Sequence, residues 1–578
     1  METMRAQSPR RRKGRGFRGF LFFCFLGVLA GGAYWGWENY VPNFERVVPV
    51  FKEEHPLFYK GEALGFGAVL DQNGESVKLP LDAVQKVLDS KEPVRYEEES
   101  GSIILTTENK VVHFKTEALT ATMNQKPFKL SFAAHKKDNI VYLPVEPLKE
   151  LFGLQFDYTK DSSIVTLHLP DELIQRAVVS KKDISVRSGP TIKAPIIQTL
   201  AAGDEVRIWG EEEGWYKVQG ASGYVGYAAK SGVSLTSIET IPKQPADKSF
   251  IPWKLYGKKI NLTWEAVYNR QPDLEKIGEL EGVNVVSPTW FELADESGLL
   301  RSKADMTYVN WAHAKGMQVW ALFSNSFKPD MTTVALASYE TRLNMIKQLL
   351  SFAQIYKLQG INIDFENVHT KDKENLIQFV REMTPLLHEQ GLVVSIDVTP
   401  KSNSEMWSAF LDREALGKVV DFMMVMAYDE HWAASPVAGS VASLPWVEQS
   451  VKRILEEDQV PPEKLVLGIP LYTRVWTEET GKDGKTKVSS KAIGMETVDK
   501  LIAEKQLKPV FKPEVGQNYI EYKEDGALKR IWMEDEASVK ARALLAKKYD
   551  LAGVATWQRS FQKPQIWGVL DKELQSRP

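Results

Sequence analysis

The sequence has one cysteine, Cys24, in 578 residues. No internal disulfide can form, and a single thiol cannot supply a zinc set built on two or four cysteines. The eight histidines show no ligand spacing, and no motif calls for a metal, a nucleotide or a flavin, so no cofactor is expected. Neither sign of charge dominates. Lys and Arg number 73 and Asp and Glu 76, for a net charge of −3, which argues against a nucleic-acid partner. The composition, 43% hydrophobic and 26% charged, is that of folded domains rather than a disordered chain or a many-pass membrane protein. The length suggests several domains. Tryptophan is in surplus, with 16 residues, twelve of them between Trp253 and Trp567.

The near-neutral charge averages two unlike parts. Residues 1–18 carry seven basic residues and one acidic residue, whereas the remainder carries 66 basic and 75 acidic. From Gly19 to Trp37 there is no charge at all. As a helix this run reaches roughly 28 Å, close to the thickness of a bilayer core. Basic residues before it and acidic residues after it predict a cytoplasmic N-terminus, with Trp35 and Trp37 at the outer interface. The run reads as an uncleaved signal-anchor over 19–37 behind a basic cytoplasmic tail, or alternatively as a cleaved signal peptide. Either way the bulk of the chain is exported, and the exported part has no cysteine.

Residues 45–172 contain an internal echo. Val77-Lys78-Leu79-Pro80 and Val141-Tyr142-Leu143-Pro144 each read as a short strand leading through proline into an amphipathic helix, to Leu88 and Phe152. After each comes a pair of alternating strands, with turns at Glu108-Asn109 and Lys160-Asp161. This resembles the N-terminal domain of copper amine oxidases. The resemblance brings no copper site, and a stalk or spacer is the expected role. Residues 178–236 hold short strands spaced by glycine turns, Ile184 to Pro190, Gly214 to Val218 and Gly223 to Tyr227. They resemble a bacterial SH3-like domain, which implies binding to peptidoglycan peptides. Residues 237–250 are polar, with two prolines, and read as a linker.

From 251 to 576 apolar runs alternate with helical stretches such as Tyr339 to Leu358 and Asn375 to Gln390. Strands are expected at 258–264, 283–290, 318–324, 360–366, 393–399, 421–428, 464–471 and 551–557. Eight of them predict an α/β fold, a (β/α)8 TIM barrel, with an α+β insertion after the seventh strand and a hairpin turning at Asp525-Gly526. Catalytic groups then belong at the C-terminal strand ends. The fourth strand ends Gly360-Ile361-Asn362-Ile363-Asp364-Phe365-Glu366. Side chains alternate along a strand, so Asn362, Asp364 and Glu366 share one face. The apolar face must meet the helices, which turns the polar face into the barrel mouth. Neighbouring carboxylates there push one another's pKa apart, as a proton donor at neutral pH requires.

This run resembles the D-G-x-D-x-D-x-E signature of glycoside hydrolase family 18, the chitinase-like barrels, in its bacterial cell-wall and spore branch. Gln359 and Asn362 depart from it, since the family has aspartates in both places. Met426-Ala427-Tyr428-Asp429, Gly468 to Arg474 and Trp557 resemble the motifs of strands six, seven and eight. The resemblance implies a retaining mechanism in which the substrate's acetamido group attacks the anomeric carbon and forms an oxazolinium ion. It implies that Glu366 is the acid and base, that Asp364 holds the acetamido N–H, that Tyr428 donates to the acetamido group and that Trp557 stacks under the sugar. Asn362, Met426, Asp429, Tyr472 and Arg474 are expected to line the substrate site. Trp264, Trp290, Trp432 and Trp476, at or just past strand ends, are expected as stacking platforms. The expected activity is cleavage of β-1,4 bonds at N-acetylglucosamine in peptidoglycan by a membrane-anchored monomer. The alternatives are a chitinase acting on chitin oligomers and a non-catalytic wall-binding protein.

Overall fold

The computed structural model describes residues 15–71, 74–90, 93–243, 250–252, 259–481 and 484–575. Most of the basic tail and residues 244–249 of the expected linker lie outside the described residues. The chain divides into two compact units. One comprises Met1–Glu92, Thr116–Leu119 and Leu130–Ala246, the other Pro93–Lys115, Thr120–Lys129 and Asp247–Pro578.

In the first unit a helix covers Arg15–Tyr40, and its apolar part, Gly19–Tyr40, is long and apolar enough to cross a membrane. The two echoed segments pair with each other. Strands Val77–Pro80 and Ile140–Pro144 run antiparallel with Leu79 opposite Leu143. Each strand leads through its proline into a short helix, Leu81–Val87 or Val145–Phe152. Proline fixes φ near the helical value just where the first N–H groups lack a partner. The second helix stops at Gly153, whose φ of 66° suits glycine best. Seven strands between Leu173 and Thr240 form the SH3-like sheet around Val186, Val206, Val218 and Ala228.

The second unit contains the barrel. Its parallel strands are β1 (Ile260–Glu265), β2 (Val285–Leu293), β3 (Gln318–Ser324), β4 (Gly360–Asp364), β5 (Val393–Val398), β6 (Phe422–Val425), β7 (Leu465–Pro470) and β8 (Gly553–Trp557). Each pairs in parallel with the next, and β8 pairs with β1, which closes the ring. Alternation sends Leu262, Val285, Trp320, Leu322, Val393, Met424 and Ala555 inward, where they fill the barrel floor. The opposite faces of the strands meet the helices, which include Tyr339–Tyr356 and Lys373–Glu389. Small residues allow close approach of the strands. A Cβ on Gly553 would lie 2.0 Å from the Ile260 carbonyl oxygen. After β7 the chain builds an antiparallel sheet over Tyr472–Trp532 with the helix Met495–Lys505 beside it. Its tight hairpin turns at Asp525 and Gly526, both with positive φ.

The same unit takes in a five-stranded sheet spanning Val94–Lys129. It seats on the helix Tyr339–Tyr356 through a buried ion cluster. Arg342, 0% exposed, donates to Glu97 at 2.6 Å and to both oxygens of Glu382 at 2.9 and 2.7 Å. Glu97 also accepts the Tyr339 backbone N–H, and Gln378 donates to Glu382. His113 stacks on Tyr339 with ring centroids 3.8 Å apart, and Ile104 and Val111 join the outer hydrophobic layer of the barrel. Every charge in the cluster is met, which is the condition under which a buried ion pair persists. Arg342→Ala leaves the buried Glu382 without its cation and Glu97 with Arg95 alone, at 3.1 Å. It is expected to destabilise this unit by about 3–5 kcal/mol, read as a lower calorimetric midpoint. An unchanged midpoint would show that the cluster holds nothing together.

Candidate active site

Strand β4 carries the polar row. Asn362 is fully buried in the barrel, while Asp364 at the strand end and Glu366 two residues beyond are half-buried. The ladder to β3 ends at the Ser324–Asp364 pair. Past that point Asn325 takes over from the ladder. Its Oδ1 accepts the Glu366 backbone N–H at 3.1 Å and its Nδ2 donates to the Glu366 carbonyl at 2.8 Å. Asn325 is itself fully buried and held by Thr332. Glu366 is therefore fixed at its backbone although it lies outside the strand.

Burial governs the electrostatics. It pushes the Asp364 carboxyl up to about 7. Burial, then the charges of Asp364 and Asp429, raise Glu366 well above the ordinary glutamate range. Desolvation penalises the charged form, and each further carboxylate adds to that penalty. The shift favours the protonated form of Glu366, the form a proton donor needs. Tyr428, just past β6, is held neutral by burial and by the charge on Asp397.

The mouth also gathers residues from β6 and β7. Asp429 stands at a positive φ of 61°, and its Oδ1 accepts from the Tyr472 hydroxyl at 2.7 Å and from Arg474 at 2.9 Å. The rings of Tyr428 and Tyr472 lie edge to face with centroids 6.3 Å apart. Met426, half-buried, is tied through its N–H to the Val398 carbonyl. Trp557 ends β8 with a partly exposed ring, and its peptide bond to Gln558 is cis. Asn362, Asp364, Glu366, Met426, Tyr428, Asp429, Tyr472, Arg474 and Trp557 therefore all lie at or below the C-terminal mouth.

The tryptophans require corrections. Trp290 is fully buried on the helix side, against Tyr308 and Tyr356, and cannot face a sugar. Val285 faces into the barrel, so residues 286, 288 and 290 face out. Trp264 does face inward, but at 1% exposure it lies in the floor, 6.0 Å from Trp557, and offers no free face. Trp476 is buried too and donates to the Gly439 carbonyl. Trp432, by contrast, is 55% exposed, and Phe327 and Trp407 past the ends of β3 and β5 are 49% and 45% exposed, with ring centroids 6.4 Å apart.

Asn325, Ser395 and Asp397 were not expected as site residues. Ser395 and Asp397 follow on β5 the same alternation that marked β4, within Val-Val-Ser-Ile-Asp-Val. Asn325 follows directly on the C-terminal end of β3, the position where polar residues merit attention.

Comparison with known proteins agrees with this geometry. Residues 304–562 match the model for glycosyl hydrolases family 18. The chain carries a family 18 glycosyl hydrolase domain. Residues 182–234 match the bacterial SH3 domain, and residues 62–167 match the copper amine oxidase N-terminal domain. The uncharacterized glycosylase YvbX of Bacillus subtilis is 27% identical over 290 residues, 48% of this chain and 81% of that protein. The cortical fragment-lytic enzyme of Bacillus anthracis is 29% identical over 259 residues, 43% of this chain. The chain spans 57% of that enzyme's length. Among solved structures, the spore cortex-lytic enzyme SleL of Bacillus megaterium superposes with a TM-score of 0.50 at 21% identity, over 58% of this chain and 76% of its own. At that identity the likeness concerns the fold.

The family 18 domain holds its carboxyl groups at a cost to stability that depends on pH. A carboxyl whose folded pKa is raised weakens the fold as pH climbs from its unfolded value through its folded value. For Asp364 that window runs from about 4 to about 7. Asp364→Asn is therefore expected to raise the thermal midpoint more at pH 8 than at pH 4. Equal shifts at both pH values would contradict the burial argument.

Proposed function

We propose that this protein is a membrane-anchored glycosidase that cleaves β-1,4 bonds at N-acetylglucosamine in peptidoglycan, with retention and with the substrate's acetamido group as nucleophile. One observation carries the reading. The Glu366 carboxyl stands at the barrel mouth, shifted by burial toward its protonated form, with Asp364 two residues before it on the same face.

In this scheme Glu366 protonates the departing glycosidic oxygen while the acetamido carbonyl closes on the anomeric carbon. Asp364 accepts the acetamido N–H and balances the positive charge of the oxazolinium ion. Tyr428, kept as a neutral hydroxyl, donates to the acetamido oxygen. Glu366, now a carboxylate, takes a proton from the water that opens the ring. Trp557 supplies an apolar floor for the sugar. The Asp429–Tyr472–Arg474 set would meet the sugar hydroxyls, and Trp432, Trp407 and Phe327 would give ring faces to further residues of the glycan.

Several features favour peptidoglycan over chitin. The chain resembles a cortical fragment-lytic enzyme, carries a bacterial SH3 domain suited to wall peptides, and has an apolar N-terminal helix behind seven basic residues. That helix would hold the protein in the cell membrane with its C-terminal bulk outside.

A digest of purified peptidoglycan and of chitin oligomers, analysed by mass spectrometry, tests the substrate. New reducing ends on N-acetylglucosamine from peptidoglycan are expected. Products from chitin alone would point to a chitinase, and no product from either would sink the enzymatic reading. Glu366→Gln should lower kcat by about 10²–10⁴ and leave glycan binding intact, as read by calorimetry. Unchanged turnover in that variant would remove Glu366 from its role.

A further inference from the structure

Beside Asp364 lies a third carboxyl that the scheme above does not use. Asp397, on β5, is 2% exposed. Its Oδ2 accepts from the Asn362 amide at 2.7 Å. The Asn362 Oδ1 in turn accepts the Ser395 hydroxyl at 2.7 Å. Ile363 lies opposite Ile396 in the β4–β5 ladder, so Asp364 and Asp397, one step nearer the mouth, follow side by side on the inward face. Neighbouring strands run about 4.8 Å apart. Asp364 Oδ1 and Asp397 Oδ1 are both buried and have no hydrogen-bond partner.

Two carboxylates placed so close in a dry site cannot both ionise, and one proton between them relieves the repulsion. Among the described residues no cation pairs with Asp364 or Asp397. Asp397 meets the charges of Asp364 and Glu366 from β4, and it in turn acts on Tyr428 past β6, next to Tyr472 past β7. The nearby Arg474 is engaged with Asp429. The Trp264 indole from β1 lies close to Asp397 without forming a well-made hydrogen bond.

We propose that Asp397 is a positioning residue of the hydrolytic site, sharing one proton with Asp364 in the free protein and so supplying from β5 the carboxyl group that β4 presents as the amide of Asn362. The proton stays with Asp397 when Asp364 turns its charge toward the substrate's acetamido N–H, and none leaves the cluster. Burial and the charge of Asp364 both raise the Asp397 carboxyl, in line with this role. The inference rests on the proposed glycosidase reading.

The test compares the full chain with Asp397→Asn, Asn362→Asp and the double exchange. Two readouts are taken: kcat and KM against pH on peptidoglycan, and the pH-dependent infrared difference spectrum of the free protein. Asp397→Asn is expected to lower kcat by about 10²-fold with KM nearly unchanged. It should also move the alkaline limb, because in the wild type that limb includes loss of the shared proton, which the variant no longer holds between two carboxyls. The double exchange, which moves the carboxyl across one hydrogen bond, should recover most of the turnover. Wild-type turnover and an unmoved limb in Asp397→Asn would overturn the proposal. Should Asp397→Asn fail to fold, the double exchange decides, and a folded but inactive double exchange would also overturn it. If the wild type cleaves neither peptidoglycan nor chitin oligomers, the glycosidase reading fails, and the infrared spectrum then judges Asp397 alone. Loss in Asp397→Asn of one protonated-carboxyl band at neutral pH, distinct from the band that Glu366→Gln removes, supports the shared proton, and an unchanged set of bands refutes it.

Discussion

The functional end of this molecule depends on the desolvation of carboxyl groups inside a closed parallel barrel. An isolated carboxylate in such a place is costly, and a group of them more so. The barrel meets them with amide groups, and burial shifts them toward their protonated forms. The Asn362 amide on β4 ties Asp397 on β5 while Ser395 donates to that amide's oxygen, Asn325 fixes the backbone of Glu366, and Asp364 stands at the end of β4. Arg474 at the mouth is taken up by Asp429. Acidity is thereby kept in the centre of the site, and ion pairing is left to its edge.

Much of this was legible in the amino-acid order. Eight apolar runs between helices give the barrel, because strands buried on both faces need continuous apolar residues. The row Asn362-Asp364-Glu366 stood out because polar residues at every second place of such a strand have no structural reason to be there. Ser395 and Asp397 bear the same mark, but one carboxylate between valines and an isoleucine is weaker than three polar groups in a row. The tryptophans show where position along a strand is insufficient. Trp290 and Trp264 both sit close to strand ends, yet parity turns one to the helices and depth puts the other under Trp557. Parity is readable from the sequence once a partner on the same strand is known to face inward. Depth is set by the neighbouring strands and is not.

The echo over residues 45–172 predicts two like halves, and their strand–helix segments do pair with each other. Their hairpins part company. The strands around Ser102–Lys115 pack with the barrel, and those around Gln155–His168 remain in the first unit. Nothing local separates the two hairpins. The difference lies in Glu97, whose partner Arg342 is more than 200 residues away and becomes visible only in the fold. An ionised residue at the edge of a strand reads as solvated surface until its counter-charge is found.

The central claim is that the acetamido group of the substrate, supported by Asp364, does the work of a protein nucleophile, with Glu366 as the only acid and base. The anomeric configuration of the first-formed product, followed by proton NMR during cleavage of a defined N-acetylglucosamine glycan, tests this most directly. The account predicts that the β-anomer appears first and then mutarotates. Initial appearance of the α-anomer would mean direct attack by water and would contradict it.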